Sequence, residues 1–192
     1  MKKLGFLMLT LAIALMLGGT ALAQDTDSYF VTYYSNNVTN APDETVRIIN
    51  DGFTEATIWA DFYVFDDSEE LTECCSCAIT PDGLLSESVQ KNLTANPITG
   101  IKPTRGVIKV IASTLPGAAS PSNGVTGVNP TPGLHGWATH AQKLAAGFAL
   151  TEGELADGDL STSEETLLEE LCMFDGLLSG KQCTCTPEDM DF

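Results

Sequence analysis

Basic residues are scarce in this chain of 192 residues, which has 9 Lys and Arg against 26 Asp and Glu and a formal net charge of −17. Binding to a nucleic-acid backbone requires a surplus of Lys and Arg that displaces counterions from the phosphates. Docking on an anionic membrane surface requires the same surplus. The composition therefore predicts no nucleic-acid partner and no membrane-surface partner.

Catalytic motifs are missing too. The chain has no G-x-S-x-G nucleophile elbow and only two histidines, His135 and His140. Their spacing of five places them on opposite faces of a strand and outside the i, i+4 helical register that zinc sites use. Carboxylates are so abundant that no pair of them is diagnostic of glycoside cleavage. We therefore predict that the protein is not an enzyme and has no catalytic residue, no metal site and no cofactor.

The chain has one long apolar run, at its N-terminus. Two lysines precede residues 4–17, which are almost entirely apolar, and Ala21-Leu22-Ala23 has the A-x-A form of a signal-peptidase site. A retained N-terminal anchor is the alternative to cleavage. We therefore predict a signal peptide at residues 1–23. Because no second stretch of ~18 apolar residues follows, we predict no membrane span in the mature chain. The mature protein would be secreted or extracytoplasmic, in the bacterial periplasm or at the cell surface, with a net charge of −19.

Six cysteines lie beyond the predicted signal peptide. An even number of cysteines in an exported chain indicates disulfides, because such chains meet oxidising conditions. Six cysteines allow 15 connectivities. In extended strands each C-x-C pair projects to one face, which favours two bonds between the pairs and leaves Cys74 for Cys172. A zinc site of four thiolates is the competing interpretation, and the connectivity stays open. The candidates are Cys74, Cys75, Cys77, Cys172, Cys183 and Cys185.

Short segments with β-branched and aromatic residues alternate with turn signals about every 10 residues. This spacing predicts a mainly β fold, an antiparallel β-sandwich of immunoglobulin-like or related type. In the strongest segment, Asp61 and Tyr63 fall on the face opposite Phe62, and the charge of Asp61 predicts that this face is only partly buried. The predicted strands are residues 29–34, 44–50, 56–65, 71–79, 84–93 and 106–113.

Residues 115–133 hold four Pro, four Gly and no charge, a composition that cannot supply a core. We predict a long loop within a single domain of residues 24–185, the alternative being a linker between two domains. Residues 134–150 are compatible with a helix, although two strands at 134–142 and 147–152 complete a sheet better. An acidic tail follows at residues 186–192.

One helix is predicted near the C-terminus. Ser161 and Glu164 have the spacing of a capping box, and acidic residues in the first turn suit the positive end of the helix dipole. An apolar stripe follows, which would pack against the sheet and place Cys172 on the buried side. Its members are Leu167, Leu168, Leu171 and Cys172.

The charges are segregated along the chain. Residues 24–73 hold 12 acids and one base, residues 152–192 hold another 12 acids and one base, and residues 74–151 hold two acids and five bases. This segregation has three possible explanations: the basic stretch pairs with acids within the fold, it mediates head-to-tail self-association, or the acidic stretches bind cations. In the second case a loop around Lys102 and Arg105 would meet an acidic surface of a neighbouring copy. A sheet edge near Tyr29 and Tyr33 is a further candidate for self-association, because it could accept a neighbour's strand.

Four short motifs resemble a group of Cys-rich, mainly β exported bacterial proteins of unknown function. The resemblance covers most of the mature chain and rests on structural motifs. It implies an exported bacterial β protein and no catalytic residues. The motifs are Tyr63-Val-Phe-Asp66, Cys74-Cys-Ser-Cys77, Thr80-Pro-Asp-Gly-Leu84 and Gly106-Val-Ile-Lys-Val110.

These observations predict a non-enzymatic exported structural or interaction protein, such as a cell-surface or filament-forming subunit. Its partners would be copies of itself or other surface proteins. The alternative is an extracytoplasmic binding module for calcium or a carbohydrate, which would use acidic loops at 66–70 and 157–159 and Trp59 or Trp137. An exported hydrolase ranks third. The sequence does not identify the physiological partner or ligand.

Overall fold

The structure of the chain is a computed structural model that describes residues 27–94, 96, 99–117, 127–179 and 183–185. The predicted signal peptide and the predicted acidic tail lie outside these residues. So does the middle of the Pro/Gly-rich loop, residues 118–126. The predictions for these segments therefore stay predictions.

Nine strands in the described residues form two antiparallel sheets. They are β1 (Tyr29–Ser35), β2 (Thr45–Asn50), β3 (Ile58–Asp66), β4 (Leu71–Ile79), β5 (Leu84–Ser88), β6 (Arg105–Ser113), β7 (Leu134–Lys143), β8 (Phe148–Glu154) and β9 (Ala156–Asp157). Sheet I has the order β4-β3-β6-β1-β9, and sheet II has the order β5-β2-β7-β8. The two sheets pack face to face, which confirms the predicted antiparallel β-sandwich.

The main hydrophobic core lies between the sheets. In β2, for example, Val46 and Ile48 are buried, while the alternating residues Thr45, Arg47 and Ile49 are only half-buried. Successive side chains of a strand point to opposite faces, so the period-two pattern of the sequence produces this layer. The largest fully buried side chains of this core are Tyr34, Ile48, Ile58, Phe62, Ile79, Leu85, Leu93, Ile108 and Leu134.

Helix α1 (Thr162–Ser179) covers the outer face of sheet I. The predicted N-cap is confirmed, since Ser161 Oγ accepts a hydrogen bond from the Glu164 N–H at 3.2 Å. The carboxylate of Glu164 pairs with Lys109 on β6. This ion pair joins the first turn of the helix to the sheet beneath it.

The apolar stripe of α1 is narrower than predicted. Leu168 and Cys172 are buried against sheet I, and Leu171 is half-buried. Leu167, however, is 47% exposed, so its assignment to the buried stripe was wrong. The bond from Cys172 to β4 fixes which side of the helix faces the sheet, and that orientation turns Leu167 toward solvent.

The outer face of β3 is only partly buried, as predicted, since Trp59 and Phe65 are half-buried there, but its charged residue does not lie on the exposed part. Asp61 and Tyr63 are fully buried there. Leu168 of α1 packs in the same cluster as Tyr63, and the Gly117 N–H from the Pro/Gly-rich loop donates to Asp61 Oδ2 at 3.2 Å. A carboxylate is tolerated in such a position when hydrogen-bond donors satisfy it.

Two further segments were only partly predicted. The strand expected at residues 84–93 ends at Ser88, where a π-helical turn (Val89–Leu93) begins. Two side chains accept hydrogen bonds from the first turn: Ser88 Oγ from the Lys91 N–H at 3.1 Å, and Asp43 Oδ1 from the Gln90 N–H at 3.0 Å. Residues 134–150, which were ambiguous, form β7 and the beginning of β8, as the strand interpretation expected. Across the described ranges, no helix is long and apolar enough to cross a membrane.

Candidate interaction surface

Three disulfides join the C-terminal part of the chain to β4. The bonds are Cys74–Cys172, Cys75–Cys183 and Cys77–Cys185, with Cα–Cα distances of 5.8, 5.4 and 5.5 Å, in the usual range. This is the connectivity that strand geometry favoured. Cys75 and Cys77 lie in the core between the sheets, while Cys74 lies on the opposite face of β4, beneath α1.

These bonds decide between the two interpretations of the cysteines. Sulfur atoms of Cys75, Cys77 and Cys185 lie within 4.8 Å of one another, but each belongs to a disulfide and offers no thiolate to a metal. A redox-active C-x-x-C motif was not expected from the sequence, although Cys74 and Cys77 have the spacing of one. Each is bonded to a distant cysteine instead. Three such disulfides indicate an oxidising, extracytoplasmic environment.

The two histidines contact different groups. His135 Nε2 lies 3.5 Å from Asp51 Oδ2, in a half-exposed position. His140 is buried; its ring stacks on Tyr33 at 4.1 Å between centroids, and its Nδ1 lies 3.9 Å from Glu44 Oε2. The structure thus gives each histidine its own structural contacts and does not bring the two together at one site.

The predicted self-association residues on the basic loop have intramolecular partners. Lys102 Nζ donates to the Gln90 carbonyl at 2.7 Å, and Arg105 Nε donates to Asp67 Oδ2 at 2.7 Å. Arg47 pairs with Glu152, and Lys109 pairs with Glu164. Within the described residues, bases therefore meet acids from distant parts of the chain, which supports the interpretation that charges pair within the fold.

The expected sheet edge near Tyr29 and Tyr33 is mostly covered. β6 pairs with β1 along its whole length, and β9 pairs with Phe30 and Val31 on the other side. Tyr29 is buried, and its hydroxyl donates to Glu164 at 3.4 Å. Tyr33 remains 54% exposed, but the Ser35 N–H beyond it donates to Glu44 Oε2. β1 therefore does not offer a free strand to a partner.

The residues considered for calcium and carbohydrate binding lie apart. Trp59 is on β3 of sheet I and Trp137 is on β7 of sheet II, and both are half-buried. Asp66 closes its own acidic turn by accepting the Ser68 N–H at 2.8 Å. Among the residues that the structure describes, no three Asp, Glu or His side chains bring ligand atoms within 4.8 Å of one another.

β8 is an open edge of the sandwich, as is β5 at the other end of sheet II. β8 ends sheet II, and within the described ranges no strand pairs with its other side. The Leu144 N–H donates to Gly147 O at 3.2 Å and the Leu155 N–H donates to Gly136 O at 2.8 Å, so odd-numbered residues face β7. Facing residues alternate in an antiparallel ladder. The backbone N–H and C=O groups directed away from β7 are therefore those of Phe148, Leu150, Glu152 and Glu154.

This edge is apolar at one end. Phe148 is 36% exposed and Leu150 is 51% exposed, and Leu144 in the adjoining turn is exposed as well. β2 pairs with β7 only as far as Ala138, so the end of the β7–β8 hairpin projects beyond its neighbour in the sheet. By contrast, the opposite edge strand of the other sheet, β4, is largely buried, with α1 packed on it. Proteins normally protect long apolar edges, because such edges recruit other strands.

This edge was not predicted from the sequence. The accepting strand was expected at β1, because aromatic and β-branched residues are concentrated there. The available signal was the run of residues 144–150, in which Leu, Ala and Phe surround a hairpin glycine, Gly147, that adopts a φ of 83°. Apolar residues on both sides of a hairpin turn indicate that the end of the hairpin exposes an apolar surface, because this run contains no polar side chain.

No protein-family model, curated protein or solved structure matches this chain. The resemblance to exported bacterial proteins therefore stays a prediction. The β8 edge combines backbone groups directed away from β7 with exposed apolar side chains.

Asp175 on α1 makes the stability of the protein depend on pH. Its side chain is buried, and this burial, together with the negative charge of nearby Glu70, raises its pKa from 3.8 to about 6. Between these values the folded protein holds the proton more readily than the unfolded chain, so stability falls as pH rises and reaches its lower plateau above pH 6.

We expect Asp175→Asn to raise the melting temperature by a few degrees at pH 8 and to leave it almost unchanged at pH 4. Thermal unfolding at both pH values measures this, with Glu170→Gln, at an exposed position of the same helix, as the matched control. A lower melting temperature for Asp175→Asn at pH 8 would show that the ionised carboxylate stabilises the fold.

Proposed function

We propose that this protein is a non-enzymatic extracytoplasmic subunit that assembles through its sheet edge at the cell surface or in the periplasm. In this proposal residues 1–23 direct export and are removed. The observation that carries the proposal is the seven-residue β8 edge, with outward-facing backbone groups and exposed Phe148 and Leu150. Strand addition at such an edge satisfies the backbone groups and covers the apolar side chains in one step.

The rest of the molecule suits a structural role. Disulfides hold both α1 and residues 183–185 to β4, which stabilises the scaffold in an oxidising compartment, where no cellular reductant breaks these bonds. The sandwich then presents β8 on a rigid support, since β7 connects it to β2 in the middle of sheet II. A preordered strand loses less conformational entropy on pairing than a flexible segment would.

The test is the molar mass of the oxidised mature protein, residues 24–192, measured by size-exclusion chromatography with light scattering over a range of concentrations. Salt near physiological strength is needed, because a net charge of −19 otherwise opposes association. We expect the wild type to exceed the monomer mass as concentration rises. Leu150→Lys should lower the mass to that of a monomer without changing the melting temperature, because Leu150 is exposed in the monomer.

Leu167→Lys is the matched control. Leu167 has nearly the same exposure as Leu150 but lies on α1, away from sheet II. It should leave the oligomeric mass unchanged. A wild type that stays monomeric at every concentration, or an equal effect of the two substitutions, would contradict the proposed assembly.

A further inference from the structure

We propose that the partner of β8 is the β8 strand of a second copy, paired antiparallel about a two-fold axis at Thr151. This inference rests on the proposed function and specifies its partner and register. It would join the two copies into one continuous sheet of eight strands, β5-β2-β7-β8 from each copy. A two-fold interface of this kind uses the same surface twice and closes on itself.

Backbone geometry selects the register. The outward-facing residues of β8 are the even-numbered ones, 148 to 154, as the hydrogen bonds to β7 require. A two-fold axis at Thr151 places Phe148 opposite Glu154 of the second copy and Leu150 opposite Glu152 of the second copy. Both pairs join outward-facing residues, which is the arrangement that lets each pair exchange two hydrogen bonds. All four outward-facing residues of each copy are then used, whereas any shifted register leaves some of them unpaired.

Charge favours the antiparallel direction. The first half of β8 is apolar and lies beside Lys143 of β7, which pairs with Phe148, while the second half carries Glu152 and Glu154. Antiparallel pairing sets each apolar and basic half against the acidic half of the other copy. A parallel, in-register pair would set Glu154 beside Glu154 of the second copy, which is destabilising in a sheet.

Side chains near the axis fit a copy of this chain. The even-numbered side chains of β8 share one face of sheet II, so the two copies of Leu150 become diagonal neighbours at the axis. The two copies of Glu152 also approach there, but each is already paired with Arg47 of its own chain. The apolar contact at the axis is therefore not opposed by two unneutralised carboxylates.

Cysteine cross-linking tests the register. Thr151 faces its own counterpart across the axis in a non-hydrogen-bonded pair, where Cα atoms are about 4.5 Å apart, a separation that a disulfide spans. Thr151→Cys, with glutathione as the redox buffer, should therefore give a covalent dimer. Residue 149 faces residue 153 of the second copy, so Ala149→Cys and Gly153→Cys should each stay uncross-linked alone and cross-link when mixed. Gly153 accepts a side chain, because no heavy atom lies within 4 Å of an added Cβ.

The outcomes separate this inference from the proposed function. If the wild type assembles but Thr151→Cys does not cross-link, or if Ala149→Cys cross-links alone, the β8–β8 register is overturned while assembly stands. A wild type that is monomeric overturns both. Peptide mapping must show the three native disulfides in every variant, so that misoxidised protein is not counted. The proposed register is supported if Thr151→Cys cross-links, if the mixture of Ala149→Cys and Gly153→Cys cross-links, and if neither of these two variants cross-links alone.

Discussion

Replacing both Cys74 and Cys172 by alanine is expected to lower the free energy of unfolding by about 3–5 kcal/mol. The Cys75–Cys183 bond remains in this variant, so the lost bond is the one that closes a loop of roughly 12 residues through the chain between positions 172 and 183. Its loss restores about 3 kcal/mol of conformational freedom to the unfolded chain. Both sulfurs are buried between β4 and α1, so their removal also loosens the packing of the helix on sheet I. Denaturant unfolding of the oxidised proteins, followed by circular dichroism, measures the change.

Cys77→Ala with Cys185→Ala is the matched control. The Cys75–Cys183 bond, which also spans 108 positions, remains in that variant and closes almost the same loop. Losing one of two nearly redundant cross-links releases little further chain entropy, so this variant should lose clearly less stability than the Cys74, Cys172 variant. Equal losses for the two variants would show that local packing, and not cross-linking of the chain, determines the effect.

Glu44→Ala is expected to cost about 2–5 kcal/mol, because it leaves two backbone donors unsatisfied. Glu44 is buried between the two sheets. Its Oε2 accepts the Ser35 N–H from β1 at 2.9 Å, and its Oε1 accepts the Ala141 N–H from β7 at 2.9 Å. One side chain thus satisfies a donor from each sheet at the end where β1 and β7 approach each other.

The companion variants of this prediction separate hydrogen bonding from charge. Glu44→Gln keeps one carbonyl acceptor and the shape of the side chain, so its loss of stability should fall between the wild type and Glu44→Ala. Glu170→Ala removes an exposed acid from α1 and should change stability by less than about 0.5 kcal/mol. A Glu44→Ala variant that unfolds at the wild-type denaturant concentration would contradict the bridging role.

The sandwich and its cross-links could be predicted because they follow from local patterns. Alternation places Ile48 inside, whatever the order of the strands. The same period of two puts Cys75 and Cys77 on one face of β4 and Cys74 on the other, and the disulfides follow this division. Residues 183–185 reach their partners without forming a strand; the Thr184 N–H donates to the Asn92 carbonyl at 3.1 Å.

The interaction surface could not be predicted, because it depends on strand order. Nothing in the residues of β1 shows that β9, a strand of two residues from far along the chain, covers its edge. In the same way, nothing in the sequence distinguishes Glu44 from the other 25 acidic residues, because its burial depends on β1 and β7 meeting at the same end of the sandwich. The burial of Asp61 itself could not be predicted for a related reason: a charged residue on a strand is expected to face solvent unless a segment from elsewhere in the chain supplies hydrogen-bond donors, as Gly117 does here.

Amide hydrogen exchange of β8 tests the proposed assembly most directly. It is measured residue by residue on the mature protein in dilute and in concentrated solution. In dilute solution the outward-facing amides of Phe148, Leu150, Glu152 and Glu154 should exchange rapidly, while the alternate amides that face β7 are protected. In concentrated solution the four outward-facing amides should become protected as well. Equal exchange of these four amides at both concentrations, with β7 unaffected, would contradict assembly through this edge.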